Sequence, residues 1–420
     1  MMLGIIADDF TGATDIASFL VENGLSTVQL NGIPENDTFI EAQALVISLK
    51  SRSCPPEEAV ALSLQALTWL QKQGCTQFYF KYCSTFDSTT QGNIGPVTDA
   101  LLAALDEKLT VISPALPVNG RTVYQGYLFV MGQLLSDSGM RNHPITPMTD
   151  SYLPRLMEAQ ASGRCAVINS DTINLGAGAV KERLEQLAGQ GINYAVLDTL
   201  NEQHLLTQGE ALKYMKLITG GSGLAIGLAR QWAKIGEKNA TAAGKPQGQK
   251  AVVLSGSCSA MTNKQVTCYR HQAPSQPIDI NRCLNHDERA RYAEELSSWV
   301  ESSSCGDLAP LLYATAEPDV LKKNQQQYGN QASSHAIEAL FSDVAARLQQ
   351  RGFQRFIIAG GETSGVVTQT LDIKAFHIGP CISPGVPWVR AINLPISLAL
   401  KSGNFGDEDF FARAQKEFPI

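Results

Sequence analysis

The chain has 420 residues, 44% of them hydrophobic and 17% charged, with a formal net charge of −7 at pH 7. That length exceeds what a single core organises and predicts two domains, while the low charged fraction excludes long disordered or coiled-coil segments. A net negative chain brings no basic field for nucleic acid or anionic lipid, and no run approaches the ~18 apolar residues of a membrane span.

From the N-terminus, "LGIIA" (3–7) predicts a strand, and Asp8, Asp9 and Thr11 follow it directly. "TDIASFLVENG" has a helix face in Ile16, Phe19 and Leu20 and a stop at Asn23–Gly24. The strand "ALVISL" (44–49) leads into Lys50, Ser51 and Arg52, and "PPEEAVALSLQALTWLQKQG" opens a helix with prolines and Glu57/Glu58 and closes it with Gly74. "FYFKY" (78–82) supplies Lys81 and runs into Ser84, Thr85, Asp87 and Ser88; "LTVISP" (109–114) runs into Asn119 and Arg121. "CAVIN" (165–169) and "YAVLD" (194–198) complete the set.

This alternation predicts α/β architecture with a mainly parallel sheet flanked by helices, whose strand ends share one rim. Taken singly, each polar residue reads as a cap or a solvated charge. Together, Asp8, Asp9, Thr11, Arg52, Lys81, Ser84, Thr85, Asp87 and Arg121 form a candidate site for a small anion. Arg121 is suited to a bidentate grip on a carboxylate, with Lys81 or Arg52 as a point charge. His143, in the proline-flanked loop "NHPITPMTDS", is a candidate substrate contact against the commoner structural role. Gly220, Gly221, Gly223 and Gly227 fit close helix packing as well as they fit a ligand.

Residues 236–250, "GEKNATAAGKPQGQK", lack apolar periodicity and read as a linker between a first domain (1–235) and a second (251–420). The polar stretch "NQQQYGNQASSHA" (324–336) is too short to read as disordered. In the second domain three small-residue turns recur: Ser255, Gly256 and Ser257; Gly360, Gly361, Glu362 and Thr363; and Ser402, Gly403 and Asn404. Glycine lets backbone approach a phosphate, and a following helix N-terminus aims N–H groups at it. One such turn is ordinary; three in one domain point to a nucleotide. No phosphate-loop motif, no strand-linked G-x-G-x-x-G, no G-x-S-x-G and no H-E-x-x-H occurs. The nine cysteines form no C-x-x-C pair, the histidines have no metal-like spacing, and the apolar run at the N-terminus is too short for a signal peptide. The expectation is reduced thiols in a cytoplasmic protein.

Together "ADDFTGATD", "KYCSTFDSTTQGNIG", "PALPVNGRTVYQGYLFV", "GGSGLA", "LSGSCS", "AGGETSG" and "LALKSGNFG" resemble the four-carbon acid sugar kinase family, in particular its 3-oxo-tetronate kinases. The resemblance spans nearly the whole chain in order. It implies an acid-sugar-binding domain followed by a nucleotide-binding domain, with the active site in the cleft between them. It implies phosphorylation of the terminal 4-hydroxyl of a 3-oxo-tetronate by ATP with a divalent cation, magnesium being the expected ion; threonate or erythronate is the alternative acceptor. The family's nucleotide contacts fall on Ser257 or its neighbour Ser255, on Gly360 to Thr363, and on Gly403. Asp8 is then the expected base for the reacting hydroxyl, while Asp9 faces metal or caps the next helix. Two rivals stand beside this reading: a non-catalytic sensor of a small acid, and a dehydrogenase, the latter disfavoured by the missing dinucleotide fingerprint. A homo-oligomer is left open.

Overall fold

The computed structural model describes residues 2–35, 40–143, 146–233, 240–315 and 330–418. They fall into two compact units, Met1–Ala240 and Thr241–Ile420.

The first unit begins β1 (Leu3–Ala7), α1 (Phe10–Glu22), β2 (Thr27–Asn31), β3 (Ala44–Ser48), α2 (Pro56–Lys72), β4 (Gln77–Lys81), α3 (Ile94–Leu105) and β5 (Thr110–Ser113). An antiparallel meander follows, β6 (Arg121–Tyr124), β7 (Tyr127–Val130) and β8 (Gln133–Leu134). The chain then returns for β9 (Cys165–Ile168), β10 (Tyr194–Leu197) and β11 (Leu217–Gly220). The main sheet runs β2–β3–β1–β4–β11–β5–β10–β9, and every neighbouring pair is parallel. β1 is buried end to end, which is why it reads as an unbroken apolar run and not as an alternation. Strand order reverses at β1, with β3 on one side and β4 on the other. The carboxyl ends of β3, β1 and β4 therefore lie side by side, the place where open α/β sheets take ligands.

Helix boundaries follow their chemistry. α2 starts at Pro56 with Glu57 and Glu58 in its first turn and has Lys72 in its last, charges that oppose the helix dipole. α1 has no acid in its first turn; Asp9 caps it instead.

The second unit contributes β12 (Ala251–Ser255), β13 (Ser275–Pro277), β14 (Leu311–Tyr313), β15 (Arg355–Ala359), β16 (Ala375–Ser383), β17 (Val386–Ala391) and β18 (Ser397–Lys401). The order β13–β14–β12–β15–β18 is parallel, and β17 and β16 extend it antiparallel. Its core gathers Val253, Ile357, Trp388, Phe410 and Phe411, with Trp388 Nε1 donating to the Ala414 carbonyl at 3.0 Å.

The predicted α/β class and the six strands read from sequence hold. β2, β11 and the antiparallel strands were not among them. Gln29 interrupts β2 yet is buried with it, and Pro380 and Pro387 break the apolar pattern of β16 and β17. Of the expected linker, 236–239 lies outside the described residues, as does 324–329 of the polar stretch; the helix Asn330–Gln350 takes up the rest of that stretch. The glycines after β11 serve packing: a Cβ on Gly227 would sit 1.9 Å from the Leu205 carbonyl, and one on Gly223 2.3 Å from that of Ala115. No helix among the described residues is long and apolar enough to cross a membrane.

Candidate active site

In the first unit the rim is an ionic cluster. Asp8 is tied into the sheet through its backbone: its N–H donates to the Lys81 carbonyl, and its own carbonyl accepts from the N–H groups of Ser51 and Arg52. These bonds knit the ends of β1, β3 and β4 and bring the side chains together. Arg52 forks onto Asp8, Nε to Oδ2 at 3.0 Å and Nη2 to Oδ1 at 2.8 Å, and Nη2 also reaches Asp9 Oδ1 at 2.8 Å. Asp9 accepts from the Gly12 N–H at 2.8 Å and from Thr11 Oγ1 at 2.9 Å. Gly12 is the hub: a Cβ there would lie 2.3 Å from Asp9 Oδ1, 3.1 Å from Lys81 Nζ and 3.5 Å from Arg52 Nη2. Only glycine lets the start of α1 come that close.

Adjacent carboxylates separate in character because their surroundings differ. Burial raises the Asp8 carboxyl above its ordinary value, against the pull of Arg52. Burial pushes Asp9 the same way, but Arg52, Lys81 and the bonds from Thr11 and Gly12 outweigh it and bring Asp9 below. Arg52 is driven well above its usual range: the two aspartates override its burial.

Asp15, one turn into α1, is a further buried carboxylate that the sequence pattern does not single out. Its Oδ2 accepts from Ser222 Oγ at 2.6 Å, while Oδ1 is buried without a partner. Burial raises it, and the charges of Lys81 and Arg121 pull it back. Arg121 donates from Nη1 to the Asn119 carbonyl and leaves a buried Nε unpartnered. Asn93 is likewise absent from the sequence-predicted set. It occupies an N-cap position, but its Nδ2 donates to the carbonyls of Ser51, Cys54 and Arg52 at 2.7, 3.2 and 3.3 Å and so fixes the loop that carries Arg52.

After β4, Thr85 Oγ1 donates to Asp87 Oδ1 at 2.6 Å and Cys83 Sγ to Oδ2 at 3.1 Å. Phe86 between them is buried with φ +49, left-handed backbone that a bulky side chain rarely adopts. Ser84 is half-buried in the same loop. Ser88 turns away to Gln160 at 2.7 Å. His143 is held within its own loop, Nδ1 accepting from the Thr146 N–H at 3.1 Å.

In the second unit the three turns meet. The N–H groups of Gly256 and Ser257 both donate to the Ala359 carbonyl, and Gly360 N–H donates to that of Lys401. A Cβ on Gly256 would sit 2.1 Å from Thr363 Oγ1, and one on Gly403 2.9 Å from Ser257 Oγ. Gly360 has φ +123, and its Cβ would meet Thr363 Oγ1 at 3.1 Å and Ser257 N at 3.2 Å. Gly361 and Glu362 open the helix Gly361–Thr370 and are exposed. Ser255 is buried and bonded to Thr315 Oγ1 at 2.7 Å, so of the two serines it is Ser257 that borders the glycines.

The chain matches two family descriptions, a sugar-binding N-terminal domain over residues 3–228 and a nucleotide-binding C-terminal domain over 252–411. A 3-oxo-tetronate kinase of Pectobacterium atrosepticum is 69% identical over 419 residues, 99% of both chains. A 3-oxo-tetronate kinase of Salmonella typhimurium is 64% identical over 420 residues, 100% of both. The chain belongs to the four-carbon acid sugar kinase family. It is a kinase, an enzyme that transfers phosphate to an alcohol group. A crystal structure from Salmonella typhimurium LT2, described as that of a putative tRNA synthase, matches with a TM-score of 0.95 at 64% identity over 100% of both chains.

Within this kinase fold most of the sequence-predicted residues of the first unit sort into three groups. Asp8, Asp9, Thr11, Arg52 and Lys81 form one cluster. Thr85 and Asp87 form a second around Cys83, and His143 bonds within its own loop. Arg52 has its Nε and Nη2 engaged by Asp8 and Asp9, because a buried carboxylate beside a half-buried one needs a shared cation. Among the described residues no group of three or more His, Cys, Asp or Glu side chains is placed to hold a metal ion.

Proposed function

We propose that the chain is an ATP-dependent kinase for the terminal 4-hydroxyl of a four-carbon acid sugar, with 3-oxo-tetronate as the acceptor. The observation that carries it is the convergence of the Ser257, Gly360–Thr363 and Gly403 turns, packed so closely that a Cβ at Gly256, Gly360 or Gly403 would meet a neighbouring residue. A cradle of glycine turns gathered at the start of a helix suits phosphate and ribose. The residues present therefore fit a nucleotide. The name shared by relatives at 64–69% identity supports the acceptor. A net charge of −7 supplies no field for tRNA.

When bound, ATP with its magnesium ion supplies the γ-phosphoryl group and offsets the charge that develops on it. The protein contributes position and proton handling. Ser257 and the N–H groups at the start of Gly361–Thr370 hold the nucleotide. Arg121 takes the substrate carboxylate, its unpartnered Nε a donor awaiting an acceptor. Lys81, Ser84, Thr85 and His143 are the further substrate contacts we assign to the first unit. Asp8 receives the proton of the 4-hydroxyl: burial makes it the stronger base of the adjacent pair, and Arg52 fixes its plane. Asp9 orders the start of α1.

A coupled assay of ADP release over 3-oxo-tetronate, threonate, erythronate and their stereoisomers tests the assignment. Fastest turnover on a 3-oxo acid is the expected result. Release on none of them removes these four-carbon acids as acceptors, and stabilisation by the acids but not by ATP removes ATP as the donor.

A further inference from the structure

Lys401 ends β18 and is buried completely. Its Nζ donates to Gly403 O at 2.7 Å, to Ser402 O at 3.0 Å and to Thr262 Oγ1 at 3.0 Å, and all three acceptors are neutral. Thr262 in turn donates to the same Gly403 carbonyl at 2.8 Å, and the carbonyl of Lys401 itself holds the N–H of Gly360. One residue thus braces two of the three turns of the cradle.

Among the described residues no carboxylate lies within ion-pair distance of it. Lys264 and Glu408, on the helix Ala260–Arg270 and the loop after β18, pair with each other at 3.1 Å. Asp407 pairs with Arg413 at 2.9 Å, Glu362 is exposed, and Arg355 donates to the Phe418 carbonyl at the far end of β15. A buried ammonium with only neutral partners is costly to keep unless something negative joins it.

We propose that Lys401 is a positioning residue of the nucleotide site, a buried amine that fixes the Ser402–Gly403 turn and whose ammonium form is compensated by the polyphosphate of the bound nucleotide. This rests on the nucleotide reading of the cradle and assigns it a cation that the sequence motifs did not reveal.

The pH behaviour agrees in sign. Burial alone brings the ammonium from 10.5 down to about 7. Between those values the unfolded chain holds more protons than the folded one, so the free protein gains stability as pH rises from about 7 toward 10, and the burial penalty is complete below 7. A bound polyphosphate restores the proton, so nucleotide binding above pH 7 takes one up.

The test uses the full chain, wild type and Lys401→Met, with ADP and adenosine as probes. Thermal shifts report binding. Calorimetry on the wild type at pH 8, in two buffers of different ionisation enthalpy, reports proton uptake without any variant. The expected results are a KM for ATP raised tenfold or more in Lys401→Met with the KM for the acid unchanged, adenosine binding retained, ADP binding weakened at least tenfold, an unliganded melting temperature no lower than wild type, and uptake approaching one proton. Equal ADP binding by the two proteins, equal weakening toward adenosine and ADP, or no proton uptake overturns the inference while leaving the nucleotide reading intact. A wild type that binds neither probe overturns both.

Discussion

Lys81 and Lys401 hold equivalent places in the two units. Each is the last residue of a strand, each is buried, and each Nζ donates to the carbonyl of the residue that follows, Tyr82 at 2.8 Å and Ser402 at 3.0 Å. Their surroundings are opposite. The charge of Lys81 acts on three carboxylates, Asp8, Asp9 and Asp15, whereas Lys401 sees only neutral oxygens. The first unit pairs the charges of its adjacent aspartates internally, with Arg52 shared between the two. Such a rim leaves Arg121, with its Nε unpartnered, as the cation for a small acid. The second unit keeps a backbone cradle with its charge uncompensated, which favours an anionic ligand and costs stability without one.

The largest effect that separates the two is expected at Asp8. Asp8→Asn is nearly isosteric and keeps hydrogen bonding to Arg52 at one oxygen, but cannot take a proton. Turnover should fall by roughly two to four orders of magnitude, with the thermal shift given by ATP unchanged. A parallel loss of ATP stabilisation would mean that the two units do not divide the work in this way.

Arg121 comes next. Its Nε is already desolvated and unpartnered, so a carboxylate placed there adds a charge-assisted bond. Arg121→Lys retains the charge but loses the fork, and should weaken binding of the acid by about 1.5–3 kcal/mol, read as a raised KM for the acid alone. Wild-type affinity in that variant removes the carboxylate from Arg121. On the other side of the comparison, Gly360→Ala forces a side chain onto backbone at φ +123. Strain of about 1–3 kcal/mol should appear as a higher KM for ATP and leave the acid untouched. Equal changes in both constants would argue against a cradle dedicated to the nucleotide.

What is legible in the sequence depends on how local its cause is. β1 and β3 are short apolar runs and β4 carries Phe78, Tyr79 and Phe80 in succession, so their ends, and with them Asp8, Arg52 and Lys81, can be placed on the rim from residue pattern alone. The three glycine turns are legible for the same reason. Asp15 is not, because it lies inside a helix and acquires its role only from Ser222, 207 residues away in sequence. Asn93 looks like a cap and acts instead on a loop some forty residues earlier, at Ser51. Lys401 closes an ordinary "LALK" run, and its isolation from every carboxylate among the described residues is a property of three-dimensional packing. Sequence shows which residues reach the rim; it does not show which of them have already found partners.

Asp9 gives the smallest effect and the sharpest separation within the pair. As the N-cap of α1 its side chain accepts from Gly12, and Asn serves at that position nearly as well as Asp. Asp9→Asn should therefore keep the cap and lose only the shared interaction with Arg52, while Asp9→Ala loses both and should cost about 1 kcal/mol of stability in denaturant unfolding. Turnover in each should stay within about tenfold of wild type, far above the range for loss of a positioned base. The position of α1 explains why even this change is felt: Gly12 brings Asp9, Lys81 and Arg52 within a few ångströms, so a frayed first turn loosens the cluster that orients Asp8. If Asp9→Asn abolishes turnover with unchanged stability while Asp8→Asn remains active, the roles of the two are exchanged. If both remain active, the proton goes elsewhere, and Asp87, held by Thr85 and Cys83 beside a strained Phe86, is the next carboxylate to change.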